Sequence, residues 1–248
     1  MTEPAIELTS VALAYRLSRS RSSSLKEFAI HLLKRQVSFE QFFALHDVDL
    51  RVSPGEVLAI IGANGAGKST LMKVMARVLP PTRGRAVVRG RTAPMIELGA
   101  GFNMEMTGYE NIVLYGALLG RSAATMRVRA PSIAEWAHLE SAMDVPVRNY
   151  SSGMLARLAF AIAVDVEPDV LLVDEVLSVG DEAFQRKSGQ RMDELIRSGT
   201  AVVLVSHNLE QVLEKADRVM WLENGRVRQT GPAADVVYAY RQHSLNQS

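Results

Sequence analysis

The run Gly62-Ala63-Asn64-Gly65-Ala66-Gly67-Lys68-Ser69-Thr70 constrains the chain more than any other stretch, because of what stands on either side of it. Before it lies Val57-Leu58-Ala59-Ile60-Ile61, continuous, apolar and rich in β-branched residues, as a fully buried strand requires. After it, Leu71-Met72-Lys73-Val74-Met75-Ala76-Arg77-Val78-Leu79 reads as helix. Gly62, Gly67, Lys68 and Ser69 meet the spacing G-x-x-x-x-G-K-[ST]. A chain of phosphates needs close backbone approach and several inward N–H donors, which a glycine-rich turn at a helix N-terminus supplies. Residues Gly62 to Thr70 are therefore the expected phosphate cradle. Lys68 would neutralise the outer phosphates, and the Ser69 hydroxyl can ligate Mg²⁺. A glycine-rich turn with a solvated lysine is the alternative, and the flanking strand and helix speak against it.

A second buried run, Val170-Leu171-Leu172-Val173, ends in Asp174 and Glu175. At the carboxyl end of a parallel strand, Asp174 is placed to hold Mg²⁺ through water and Glu175 to polarise an attacking water. Alone, two acids there would read as a cap of the next helix; beside the cradle they read as catalytic. A third buried run, Ala201 to Val205, ends in Ser206 and His207 at the edge where ligands gather in open α/β sheets. His207 is the expected γ-phosphate sensor.

The rest of the chain supports an α/β fold with a largely parallel sheet. Residues 6 to 15 and 45 to 52 alternate as half-buried strands do, 104 to 165 are mostly helical, and Val219 to Gly231 make two strands about an Asn-Gly turn. Residues 232 to 242 form a short closing helix. Lys and Arg number 28 against 27 acids, a net charge of +1, so no general field attracts nucleic acid. No cysteine is present, which excludes disulfides and thiol chemistry. The first residues lack the charged start and apolar stretch of a signal peptide. Apolar runs fall far short of the about 18 residues needed to span a bilayer, so any pore would come from a partner.

At Tyr150-Ser151-Ser152-Gly153-Met154 the chain resembles the nucleotide-binding subunits of ABC transporters, and the likeness runs from about residue 6 to about 230. The resemblance implies a P-loop NTPase (RecA-like) core with an antiparallel β subdomain and a helical insertion subdomain at about 101–165, within one ABC ATPase domain over 6–242. It implies ATP and Mg²⁺ as cofactors and two chains that sandwich two ATPs. Ser151, Ser152 and Gly153 would contact the partner's nucleotide, Asp181 would lie at the dimer seam, and His207 would act as the switch. Physically, hydroxyl and N–H groups at a helix start make a sound anion site.

Three departures from the common pattern are similar to those of exporters of O-antigen, capsule or teichoic acid polymers: YSSGM, ELGAGFNMEMTGYENI after the cradle, and DEVLSVGDEAFQRK. The implied partners are a second copy of the chain, a multispanning membrane permease and, indirectly, a lipid-linked polysaccharide, with no nucleic acid. The implied location is peripheral, on the cytoplasmic face of the inner membrane. Another exported substrate, a lipid or drug, would leave the catalytic residues unchanged, whereas soluble nucleotide-gated clamps usually carry a long coiled coil between the motifs or two cassettes in one chain, and this sequence shows neither. A GTPase would need an N-K-x-D motif, which is absent.

Family members usually place a glutamine where sheet meets helical subdomain. None lies between Met95 and Thr107, and Glu97 is the nearest polar candidate. For the adenine ring, Tyr15 at the end of the first strand competes with Phe43. A basic insertion, 16–44, separates the first two strands; Arg16, Arg19, Arg21, Lys26, Lys34 and Arg35 outnumber Glu27, the acid among them, and either a solvated helix face or contact with anionic lipid or polymer accounts for them. With some 17 residues after Gly231, no C-terminal carbohydrate-binding domain is expected.

Overall fold

The computed structural model describes residues 3–18, 39–96, 99, 101–174 and 181–245. The strands are β1 (Ile6–Ser18), β2 (Phe39–Val52), β3 (Val57–Ile61), β4 (Arg83–Val88), β5 (Thr92–Met95), β6 (Val170–Asp174), β7 (Ala201–Val205), β8 (Arg218–Glu223) and β9 (Arg226–Pro232). The helices are α1 (Lys68–Met75), α2 (Gly108–Leu118), α3 (Ala123–Ala137), α4 (Ser152–Asp165), α5 (Glu182–Arg197), α6 (Leu209–Lys215) and α7 (Ala233–Leu245).

Six strands form one sheet in the order β5-β6-β7-β3-β8-β9, parallel except for the last pair. Its strands β3, β6 and β7 are buried on both faces and their side chains alternate between two cores. Val57, Ala59 and Ile61 of β3 join one core with Leu171, Val173, Val202 and Leu204. Leu58 and Ile60 join the other with Leu172, Val203 and Val205. That two-sided burial is why these runs show no polar alternation in the sequence. The first core holds α2 to α5 and the inward faces of α6 and α7; the second holds α1 and the small antiparallel sheet β2-β1-β4.

The first two strands run further than their alternation indicates. β1 and β2 stay paired through Tyr15↔Phe42, Arg16↔Gln41, Leu17↔Glu40 and Ser18↔Phe39. Residues 16–18 and 39–44, read from sequence as part of a basic insertion, thus belong to the sheet. The remaining insertion residues, including Arg19, Arg21, Lys26, Lys34 and Arg35, lie outside the described residues.

The helices between β5 and β6 start on local signals. Thr107 and Glu110 form a reciprocal capping box at α2, with the Thr107 N–H donating to Glu110 Oε2 at 2.8 Å. The backbone and hydroxyl of Thr107 hold the Glu110 carboxyl below its usual range. Ser122 caps α3 by accepting from the Thr125 N–H at 3.1 Å. The helical pattern of Ala123 to Met143 breaks earlier than its composition suggests: α3 stops at Ala137, and His138 turns left-handed at φ 54°. In the first turn of α2, the buried Asn111 amide reaches back to donate to the carbonyls of Asn103, Met106 and Thr107 and accept from the Asn103 N–H. One side chain thus moulds the loop that leads into the helices. Among the described residues, no helix is long and apolar enough to cross a membrane.

Candidate nucleotide site

The turn between β3 and α1 is enclosed by backbone on two sides. A Cβ on Gly62 would come within 2.1 Å of the Leu222 carbonyl oxygen in β8, and one on Gly67 within 2.7 Å of the Ala44 carbonyl oxygen in β2. Gly65 differs: it has φ 78° and nothing within 4 Å of a Cβ, so glycine serves conformation there, not space. The Asn224-Gly225 turn of the β8–β9 hairpin closes the arrangement. Its Gly225 N–H donates to the Ala66 carbonyl at 2.9 Å, while the Gly225 carbonyl accepts from the His46 N–H at 2.8 Å.

Gly67 takes the left-handed conformation at the start of α1, and no side chain caps that end. The positive pole of the helix dipole is thereby left facing the cavity that Lys68, Ser69 and Thr70 line. Lys68 is only 7% exposed, and its ammonium donates to the Gly62 carbonyl at 2.7 Å and the Ala63 carbonyl at 3.0 Å. The loop wraps its own cation, so the positive charge sits inside the curve that phosphates would enter.

The cavity measures about 390 Å³ and gathers residues from five segments. Asn64, Gly65, Gly67, Lys68, Ser69 and Thr70 form its floor, Asp174 and His207 one wall, and Tyr15, Phe42 and Ala44 the other. Asp174 and Val205 are register partners, so the parallel pairing of β6 with β7 brings Asp174 and His207 to the same edge. His207 is held there by its neighbour: the Ser206 hydroxyl, 8% exposed, donates to Gln211 Oε1 at 3.2 Å and accepts from the Asn208 N–H at 3.1 Å. Asn208 in turn caps α6.

Of the two rings that the sequence offers for a base, Tyr15 lines the cavity and Phe43 does not. Phe43 points to the other face of β2, where it stacks on His46 at 5.4 Å beneath the Arg83 guanidinium at 5.8 Å. The second ring on the wall is Phe42, the direct cross-strand partner of Tyr15. Tyr15 is 38% and Phe42 56% exposed, large apolar faces turned to an open cavity. Sequence reading missed Phe42 because two adjacent phenylalanines point to opposite faces, and only the register decides which.

Asp174 and Ser69 supply hard oxygen donors on the same cavity, which suits Mg²⁺. No group of three or more His, Cys, Asp or Glu among the described residues could hold a metal, so its other ligands would be phosphate oxygens and water. Glu175 and Glu97 lie outside the described residues.

The remaining candidates stand elsewhere. Ser151, Ser152 and Gly153 do not line this cavity; Ser151 is exposed and caps α4 by accepting from the Met154 N–H at 3.2 Å. Asp181, also exposed, caps α5 by accepting from the Phe184 N–H at 2.8 Å.

Comparison with other proteins agrees with this geometry. A family profile described as ABC transporter matches residues 45–178. The O-antigen export system ATP-binding protein RfbB of Klebsiella pneumoniae is 40% identical over 97% of this chain and 98% of that protein. The teichoic acids export ATP-binding protein TagH of Shouchella clausii is 39% identical over 97% of this chain and 66% of that one. A solved structure described as a dimeric, post-hydrolysis state of an ATP-binding cassette bound to ADP and Pi superposes with a TM-score of 0.73 at 22% identity, covering 92% of this chain and 98% of that one. With the strand, cradle and helix of β3–α1 inside the matched stretch, and RfbB alike over 98% of its own length, the chain belongs to the ABC transporter family.

Proposed function

We propose that this chain is the ATP-hydrolysing subunit of an exporter, working as a homodimer against a separate membrane subunit that moves a lipid-linked polysaccharide outward. The observation that carries the reading is the single cavity where Lys68, Ser69, Asp174 and His207 meet beneath two exposed rings. The adenine would lie against Tyr15 and Phe42, and the phosphates would run over Gly62 to Thr70 toward Lys68. Ser69 and Asp174 would hold Mg²⁺, which neutralises charge between the outer phosphates when bound. Glu175 would orient the attacking water and His207 would sense the γ-phosphate. Phosphoryl transfer asks the protein for positioning and charge stabilisation, which these groups offer.

Ser151, Ser152 and Gly153 sit away from the cavity of their own chain, which supports a role toward the nucleotide of a second copy, with Asp181 at the seam. The dimeric cassette of the same fold supports that arrangement. The cargo rests on the relatives: O-antigen and teichoic acid export proteins align along nearly all of this chain. Both polymers favour placing the subunit on the cytoplasmic face of the membrane, where ATP is available.

The test uses the purified chain with its membrane subunit. Glu175→Gln is expected to keep ATP affinity and lower turnover by about 10²- to 10⁴-fold, and to abolish surface display of the polymer in cells. Near-normal turnover would remove Glu175 from catalysis; polymer display that survives loss of this chain would remove the assigned cargo.

A further inference from the structure

The early end of α3 leads to a joint between three helices. With α3 stopping at Ala137, the Trp136 carbonyl has lost its partner one turn ahead. That partner is replaced from α5: Lys187 Nζ donates to the Trp136 carbonyl at 2.9 Å. The same ammonium stands 4.9 Å from the centroid of the Trp136 ring and 3.3 Å from Nε2 of His138, which can accept when Nδ1 carries the ring proton. A cation at a helix C-terminus also complements the dipole of α3.

Below the cation the aromatic packing continues. Trp136 stacks on Phe160 of α4 with centroids 5.7 Å apart and meets Phe184 of α5 edge-on at 5.4 Å. Phe160 and Phe184 close the triangle at 6.2 Å. None of these residues lines the nucleotide cavity. What they share is position: Phe160 belongs to the helix that begins at Ser151, and the Phe184 N–H is the group that Asp181 caps. The joint therefore fixes the direction of α4 relative to α5, and with it the two exposed helix starts relative to each other.

We propose that Lys187 is a positioning residue: by pinning the end of α3 to α5, it makes the start of α4 (Ser151 to Gly153) and Asp181 move as one body. A partner subunit that closes over ATP would then meet both starts in a fixed relation. This builds on the ATPase reading above, and a stabilising contact alone would predict different results.

The first measurement needs no turnover. In the unliganded chain carrying Lys187→Met, amide exchange is expected to quicken at both 151–155 and 181–185 as well as at the end of α3, because three helices share the pin. Quickening confined to the end of α3 would overturn the proposal. The second measurement is steady-state hydrolysis with the membrane subunit. Lys187→Met is expected to lower kcat by about tenfold to a hundredfold while the ATP Kd of the isolated subunit stays at the wild-type value, since the misplacement is remote from the cradle. Lys187→Arg should recover most of the turnover, because a guanidinium also donates and stacks on Trp136. Unchanged kcat, a matching loss of ATP affinity, or an Arg variant no better than Met would each sink the positioning role. Absence of hydrolysis by the wild-type assembly would count against the ATPase reading, while the exchange result would still decide the role of the pin.

Discussion

The cradle at Gly62–Thr70 and the helix starts at Ser151 and Asp181 are all loops that enter helices, yet they are held in opposite ways. The cradle has no side-chain cap and is enclosed by main chain, with the Leu222 and Ala44 carbonyls set against Gly62 and Gly67 and the Gly225 N–H on Ala66. Ser151 and Asp181 cap their own helices within one turn, stay exposed, and are backed by the packing of Trp136, Phe160 and Phe184 on α3, α4 and α5. The cradle is set by sheet register, and at Gly62 and Gly67 it leaves no room for a methyl group. In the proposed dimer the open helix starts would meet a second molecule, with their aim adjusted by packing behind them.

The largest effect expected from this contrast is at the cradle. Gly65→Ala and Gly67→Ala both place a side chain at positive φ, a strain of about 1–3 kcal/mol. Only Gly67→Ala must also displace the backbone of β2, so its ATP affinity should fall at least about tenfold below that of Gly65→Ala, equivalent to 1.4 kcal/mol. Calorimetric titration of the two variants measures this, and equal affinities would mean that enclosure by main chain does not set the cradle.

A smaller effect belongs to Ser151→Ala. Loss of the hydroxyl that accepts from Met154 should cost about 1 kcal/mol in urea unfolding. The ATP affinity of the isolated chain should not move, because Ser151 is absent from its cavity wall. A weaker affinity in the isolated chain would dissolve the distinction between the two regions.

The smallest effect at neutral pH concerns the seam between them. Tyr115 of α2 donates to the Pro94 carbonyl of β5 at 3.1 Å, and burial pushes its hydroxyl from the ordinary 10.0 up to about 12. The folded chain thus holds this proton more tightly than the unfolded chain does. The stability it contributes is complete below pH 10 and is lost as pH rises from 10.0 to about 12. Tyr115→Phe should cost about 0.5–1.5 kcal/mol at neutral pH and flatten the alkaline decline. Superimposable alkaline limbs of unfolding free energy would show that the hydroxyl titrates as it does in water.

The cradle was legible in the sequence because nine neighbouring residues specify it and both flanks are strongly patterned. β3, β6 and β7 were legible for the same reason: burial on two faces leaves uninterrupted apolar runs. β4 and β5 were not read, since β4 opens with Arg-Gly-Arg, mostly exposed, and β5 is a four-residue edge strand containing Pro94. The far ends of β1 and β2 escaped because pairing there rests on main-chain hydrogen bonds, which any residue but proline can make. Tyr15 could be picked from its place at a strand end. Phe42 could not, because choosing between it and Phe43 needs the register of a strand with several irregular steps. The stop of α3 at Ala137 was invisible for a further reason: the group that answers the Trp136 carbonyl is Lys187, supplied by another helix.

The bridge from Ala66 through Gly225 to His46 also sets an order of events in biogenesis. β3 lies between β7 and β8, so the residues that flank it and the turn that closes the cradle emerge from the ribosome roughly 150 residues after the cradle itself. At about 5–20 residues per second, the run Val57 to Ile61 spends on the order of ten to thirty seconds without its neighbours, an unpaired apolar strand that invites aggregation or chaperone capture. Nucleotide cannot shorten that interval, because the cavity has no second wall until β7 is in place. ATP therefore stabilises the finished chain by mass action but gives nothing to the nascent one, and excess nucleotide should protect mature protein from heat far better than it improves the yield of new protein.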